Sequence, residues 1–119
     1  MVKAVSVSSG KVLWQRYWPT LHSGGLVSTA GGLVFGGDWD RQFRAYDDAT
    51  GEVLWHTILN ARISGGAISY AVDGVQYIAV ATGGGTLYDN VIDVSDAGYT
   101  SPTGSSTVFV FALPPSLRK

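Results

Sequence analysis

The chain matches itself at a spacing of 41 residues, and this constrains its fold more than any other feature. Ala4 to Gly10 followed by Lys11-Val12-Leu13-Trp14 lines up with Ala45 to Gly51 followed by Glu52-Val53-Leu54-Trp55. The same offset carries Ser23-Gly24-Gly25-Leu26-Val27-Ser28 onto Ser64-Gly65-Gly66-Ala67-Ile68-Ser69. Two separate blocks at one offset define a repeated supersecondary unit. A third, partial copy, Val110 to Pro114, reads against Phe43 to Asp47 and arrives late because residues 83–105 are inserted before it.

Each unit breaks into short β-prone runs punctuated by Gly, Asp or Asn, with none of the 3.6-residue apolar rhythm that helical repeats need. In the middle unit the runs are 25–29, 32–36, 42–46 and 52–56. Ala30-Gly31-Gly32, Asp73-Gly74 and Thr50-Gly51 supply the turns, since glycine adopts positive φ without steric cost. Four such strands make one propeller blade, and a period of about 40–45 residues is that of a blade. The expected fold is all-β, a partial β-propeller of about nine strands and about two and a half four-stranded antiparallel blades. Residues 1–18 form the end of one blade, 23–59 a complete blade, and 63–114 the next, with its insertion at 83–105. All of 1–119 is then a single domain.

The recurring Ala-x-Asp-x-x-Thr-Gly-x-x-x-Trp has a physical logic. A small Ala45 leaves room for an indole, Asp47 and Thr50 bond turn backbone, and Gly51 takes the left-handed position. Trp14 and Trp55 each bury a large face between neighbouring blades and keep the N–H for a backbone acceptor. The first copy departs from the pattern, with Ser6 in place of Asp and Ser9 in place of Thr. An open array leaves both terminal faces uncovered, including the surfaces where Trp14 and Trp55 dock. Completion by a homo-oligomer follows, head to tail and closing into a ring if the rotation allows.

Composition excludes several functions. The 119 residues contain no cysteine, which removes disulfides, thiolate metal sites and cysteine nucleophiles. Eight Lys+Arg, scattered, against nine Asp+Glu give no basic surface for nucleic acid. There is no membrane span, since no run of about 18 apolar residues occurs, and the N-terminus reads as lacking an export signal. At 45% hydrophobic and 14% charged, the sequence can bury a core.

Three groups carry candidate chemistry. Asp38 and Asp40 end a strand beside Arg41; they offer two carboxylates to a cation or a general base, or simply cap a blade turn. The loop lacks the ligand series of an EF-hand, so no metal site is assigned. His22 and Ser23 stand at the entry to an inner strand near the axis and suggest a base and a nucleophile. Adjacent strand residues point to opposite faces, however, so the two do not easily meet within one chain, and an exposed turn histidine is the favoured reading of His22. The insertion holds Tyr88, Asp89, Asp93, Asp96 and Tyr99, suited to a lid or to a plain glycine-led excursion.

The docking motif, the stretch Gly24 to Asp38, Phe43 to Asp47, Tyr70 to Thr82 and Val108 to Pro114 together resemble the C-terminal region of the pyrroloquinoline quinone (PQQ)-dependent methanol/ethanol dehydrogenases. That resemblance implies periplasmic eight-bladed propellers holding PQQ and calcium on the axis, with a carboxylate as base. It also implies that the catalytic aspartate, the calcium ligands and a cysteine pair belong to blades outside this sequence, so no catalytic residue transfers. A cofactor-contacting tryptophan expected just before the Gly-Gly is Ser23 here, which leaves Ser23, Gly24 and Gly25 as candidate cofactor contacts. The reading that follows is a self-associating propeller-blade fragment, without cofactor or redox competence as an isolated chain. The alternative is a small enzyme at the axis of a reassembled oligomer, able to take a small-molecule ligand. It would be a PQQ-linked oxidoreductase, or a hydrolase using His22 with Asp38 and Asp40.

Overall fold

A computed structural model describes residues 1–18, 25–38, 40–63, 65–83 and 106–112, and these form nine strands with no helix among them. In order they are β1 (Val2–Val5), β2 (Val12–Arg16), β3 (Val27–Ser28), β4 (Leu33–Gly37), β5 (Gln42–Asp47), β6 (Val53–Ile58), β7 (Ile68–Val72), β8 (Val75–Thr82) and β9 (Thr107–Phe111). They assemble into three antiparallel sheets, β1-β2, β3-β4-β5-β6 and β7-β8-β9, each an up-and-down meander in chain order. This is the partial propeller expected from the repeat, and none of its described helices is long and apolar enough to cross a membrane because there are none.

The turns behave as their residues dictate. Asp73 and Gly74 both adopt positive φ, 51° and 77°, and join Val72 to Val75 as a two-residue hairpin. The Asp47 carboxylate accepts bonds from the Ala49 and Thr50 amides, while Thr50 Oγ1 accepts from Glu52 N–H. The serines of the first copy build the same turn. Ser9 N–H donates to Ser6 Oγ, Lys11 N–H donates to Ser9 Oγ, and Gly10 N–H reaches Ser6 O at 2.8 Å as Gly51 N–H reaches Asp47 O. A shorter side chain with one acceptor oxygen thus replaces a carboxylate without losing the turn.

Two apolar layers join the sheets. Between the first and second lie Val2, Trp14 and Tyr46, with Ala4, Val34 and Val53 around them. Between the second and third lie Phe43, Leu59, Ile63, Ile78 and Val80, with Phe35, Phe109 and Phe111 at the margin. Strand alternation sends successive side chains of β4 and β5 to opposite layers, so the central sheet is apolar on both faces.

Three sequence expectations need correction. Trp14 is not left at an open face: it is 9% exposed, because the following repeat supplies its dock, whereas Trp55 is 39% exposed. The run from Ile63 to Val72, which reads from sequence as the first strand of the next blade, is strand only from Ile68; Ile63 is buried and forms an isolated bridge to Thr82. The third copy is also shifted. Phe111 pairs with Ile78 and stacks edge-on with Trp55 at 5.3 Å, as Tyr46 pairs with Val34 and stacks with Trp14 at 6.0 Å. Phe111 therefore corresponds to Tyr46 and not to Arg44. The shift of two residues preserves the face of every side chain.

Candidate functional site

The connections that enter the inner strands, and the β4–β5 turn beside them, share one end of the sheets, tied together by Leu59 N–H to Arg41 O and Ile63 N–H to Asp38 O. Of the residues singled out at the inner entry, His22, Ser23 and Gly24 lie outside the described residues, as does the insertion beyond Gly83. Gly25 is described. It stands against Gly66, its counterpart one repeat later: a Cβ on either would be 3.7 Å from the other's Cα. The wall at this point is lined by backbone, since two inner-strand entries converge there.

The described side chains at this end converge on Arg44, which the β5 pleat directs toward the first sheet. Its Nη1 donates to Asp38 Oδ2 at 2.6 Å and its Nη2 to Asp40 Oδ2 at 3.0 Å. The guanidinium carbon lies 3.8 Å from the centroid of the Trp18 ring, a close cation–π contact. Trp18 Nε1–H in turn donates to the Tyr46 hydroxyl at 2.9 Å. Asp38 is fully buried and Arg44 nearly so. Burial pulls the Arg44 pKa down, but the Asp40 and Asp38 carboxylates outweigh it and leave it above its ordinary value. Burial lifts the Tyr46 phenol above its ordinary value, and the Arg44 charge and the Trp18 bond reverse only part of that.

The structure brings Asp38 and Asp40 together, as their spacing suggested, but on one cation. Asp40 also caps the turn through a 3.0 Å bond from Gln42 N–H. Arg44, Trp18 and Tyr46 were not singled out as a cluster from sequence. The available signal was an arginine placed four and six residues after two aspartates across a strand turn. Among the described residues no three His, Cys, Asp or Glu side chains come together in a metal-holding group. Within the Arg44 cluster the fit to calcium or a carboxylated quinone is poor: Asp38 and Asp40 each give an oxygen to the one guanidinium, and that guanidinium is already engaged by both.

At the opposite end, Trp14 spans the first sheet joint. Its Nε1–H donates to Asp48 O at 2.7 Å and its ring lies on Gly51, while Arg16 Nε–H donates to Gly51 O at 2.7 Å. Ala45, paired with Trp55 on its own sheet, is buried, and Asp47, Thr50 and Gly51 form the turn that receives the indole.

Comparison with known proteins agrees with this architecture. The sequence profile of the family described as "PQQ: Glucose/ethanol/alcohol dehydrogenase, beta-propeller domain" matches residues 3–78. The chain is 35% identical over 103 residues to the quinohemoprotein alcohol dehydrogenase of Comamonas testosteroni, covering 87% of this chain and 14% of that protein. It is 34% identical over 114 residues to the quinoprotein ethanol dehydrogenase of Pseudomonas aeruginosa, covering 95% of this chain and 18% of that one. The crystal structure of the Comamonas testosteroni enzyme superposes with a TM-score of 0.75 at 33% identity, over 87% of this chain and 15% of the other. A europium-containing methanol dehydrogenase superposes at 0.72 with 32% identity, over 87% and 21%. The docked tryptophan, the repeated turn and these matches establish that the chain belongs to the PQQ-dependent alcohol dehydrogenase β-propeller family.

Proposed function

We propose that this chain serves as a blade-building segment of a quinoprotein alcohol dehydrogenase propeller, that it self-associates, and that the redox chemistry is not carried by its own described side chains. The relatives are named as alcohol, ethanol and methanol dehydrogenases, and a PQQ-dependent oxidation of small alcohols is the activity of the propeller to which such blades belong. The observation carrying this reading is the Trp14 joint. An indole from one repeat occupies a glycine turn of the next, the contact by which sheets stack radially. The Arg44 cluster supports the second half, because carboxylates tied to a buried guanidinium are poor general bases and poor cation ligands.

The experiment is a titration of the purified chain with PQQ in the presence of calcium, followed by absorbance and calorimetry, beside sedimentation of the chain alone. The expected result is no saturable uptake of quinone and a mass above that of the monomer. Stoichiometric uptake of PQQ would replace this reading with that of an enzyme or ligand binder whose site lies on the axis.

A further inference from the structure

We propose that residues 59–63 form a splint that couples the Arg44 cluster of the second sheet to the root of the insertion in the third, with Asn60 as the positioning residue at its far end. The inference goes beyond the blade-building reading and does not depend on it. The segment is bonded along both edges. On one side Leu59 N–H donates to Arg41 O at 2.8 Å and Ile63 N–H to Asp38 O at 3.3 Å, so the segment follows the β4–β5 turn whose aspartates hold Arg44. On the other side Ile63 bridges Thr82, and Gly83 N–H donates to Arg62 O at 3.0 Å, so the same segment continues the end of β8. Leu59, Ala61 and Ile63 are 5, 0 and 1% exposed. Ile63 also fills the space that a side chain at Gly37 would need: a Cβ there would stand 3.0 Å from Ile63 Cβ. A segment packed this closely and bonded on both sides moves only when the bonds on one edge break.

The insertion leaves the third sheet after Thr82 and rejoins it at Thr107, and these two residues face each other in the β8–β9 register. Asn60 bridges them. Thr82 Oγ1–H donates to Asn60 Oδ1 at 2.6 Å, and Asn60 Nδ2–H donates to Thr107 Oγ1 at 3.0 Å. An amide suits the place because it offers an acceptor to one threonine and a donor to the other. Thr82 is 4% exposed, but its hydroxyl has a second acceptor in Thr107 O at 3.3 Å, so losing Asn60 slackens the root without orphaning a buried group. The connection from Arg44 to the root is therefore continuous: Asp38 to Ile63, Ile63 to Thr82, and Thr82 through Asn60 to Thr107. Hydrogen-bonded chains of this kind carry energetic coupling between sites. The point at which the insertion departs and returns thus depends on a charge cluster in the preceding repeat.

The test is amide hydrogen exchange followed by NMR on the 119-residue chain, reading Ile63 and Gly83 relative to the slowest amides, which open only on global unfolding. Asn60→Ala and Thr107→Val should each speed Gly83 by about two- to tenfold on that scale, the span of one lost hydrogen bond. Thr107→Val covers failure of Asn60→Ala to fold. Asn60→Asp should keep the parent's protection, because a carboxylate still accepts from Thr82 and the Thr107 hydroxyl can turn to donate. Arg44→Lys keeps the charge but not the two-pronged grip, and it should speed both Ile63 and Gly83 although Arg44 bonds to neither. Gly10→Ala, which strains a turn of the first sheet, should leave both ratios at the parent's values. Gly83 unchanged by Arg44→Lys, or moved as much by Gly10→Ala, overturns the coupling. Gly83 unmoved by Thr107→Val, or exchanging as fast in Asn60→Asp as in Asn60→Ala, overturns Asn60 as its positioning residue.

Discussion

The ring of Trp14 lies so close on Gly51 that a Cβ built there would stand 2.5 Å from Cδ2 and Cε3 of the indole. Gly51 also has φ of 74°, and Gly10, at the same place in the preceding repeat, has φ of 72° with nothing within 4 Å of its would-be Cβ. The two glycines share a backbone demand and differ in their neighbour. Gly10→Ala should cost about 1–2 kcal/mol, the price of a left-handed L-residue. Gly51→Ala adds a clash with a packed ring, and its total should reach about 2–5 kcal/mol. Urea denaturation of both variants checks this; equal losses would mean that the indole yields freely and contributes little to the joint.

Arg44 holds two carboxylates at once, and the pairs are unequal. Asp38 is fully buried, whereas the Asp40 side chain is 17% exposed. Arg44→Met removes the guanidinium that Asp38 and Asp40 share and should destabilise by about 3–5 kcal/mol. Replacing Asp38 and Arg44 together by apolar residues should recover part of that loss, since the remaining charge is nearer to solvent. Denaturation midpoints of the single and double variants form the check, and a double variant no better than Arg44→Met would show that the pair is not a closed unit.

These residues also show what the sequence could and could not disclose. The docking motif was legible because Ala45, Asp47, Thr50, Gly51 and Trp55 answer to local turn geometry, which recurs wherever the spacing does. The serine version at Ser6 and Ser9 obeys the same rule with different atoms. Arg44 was not legible as the centre of a cluster, because its partners were weighed as ligands or caps in their own turn, and Trp18 reaches it from another sheet. The third copy was placed two residues out of register. Thr107 to Phe111 is an apolar run with no Asp-x-x-Thr-Gly after it to anchor the alignment, and only pairing with β8 fixes Phe111 opposite Ile78. Position on the axis was the least legible of all, since Gly25 and Gly66 are brought together by the angle between sheets.

Trp14 and Trp55 occupy equivalent positions but are not equally covered, at 9% and 39% exposed. Trp14 has the Asp48 carbonyl, the Gly51 turn and Tyr46; among the described residues Trp55 has edge contacts with Phe43 and Phe111. Trp14→Ala should cost about 3–5 kcal/mol, in the range for a buried tryptophan. Trp55→Ala should cost roughly 1–3 kcal/mol, because less area leaves water. The emission maximum of a Trp55→Ala protein should also lie further to the blue than that of Trp14→Ala. Equal losses of stability would mean that Trp55 is as well enclosed as Trp14.

Tyr46 gives the fold a dependence on alkaline pH. Its folded pKa is raised above the ordinary 10.0, chiefly by burial, so above that value the unfolded chain gives up the phenolic proton while the folded chain keeps it. The unfolded state then binds fewer protons, and stability falls as pH rises. The contribution is fully present below pH 10.0 and is lost as pH climbs through the folded value. Over that window one tyrosine removes up to about 1.4 kcal/mol per pH unit. Tyr46→Phe leaves Trp18 Nε1–H without its acceptor and should be less stable at neutral pH by about 1–2 kcal/mol. It should nevertheless lose stability less steeply than the parent between pH 10 and 11. Urea midpoints of both proteins across that range decide the matter, and parallel slopes would show that the phenol titrates alike in the folded and unfolded chains.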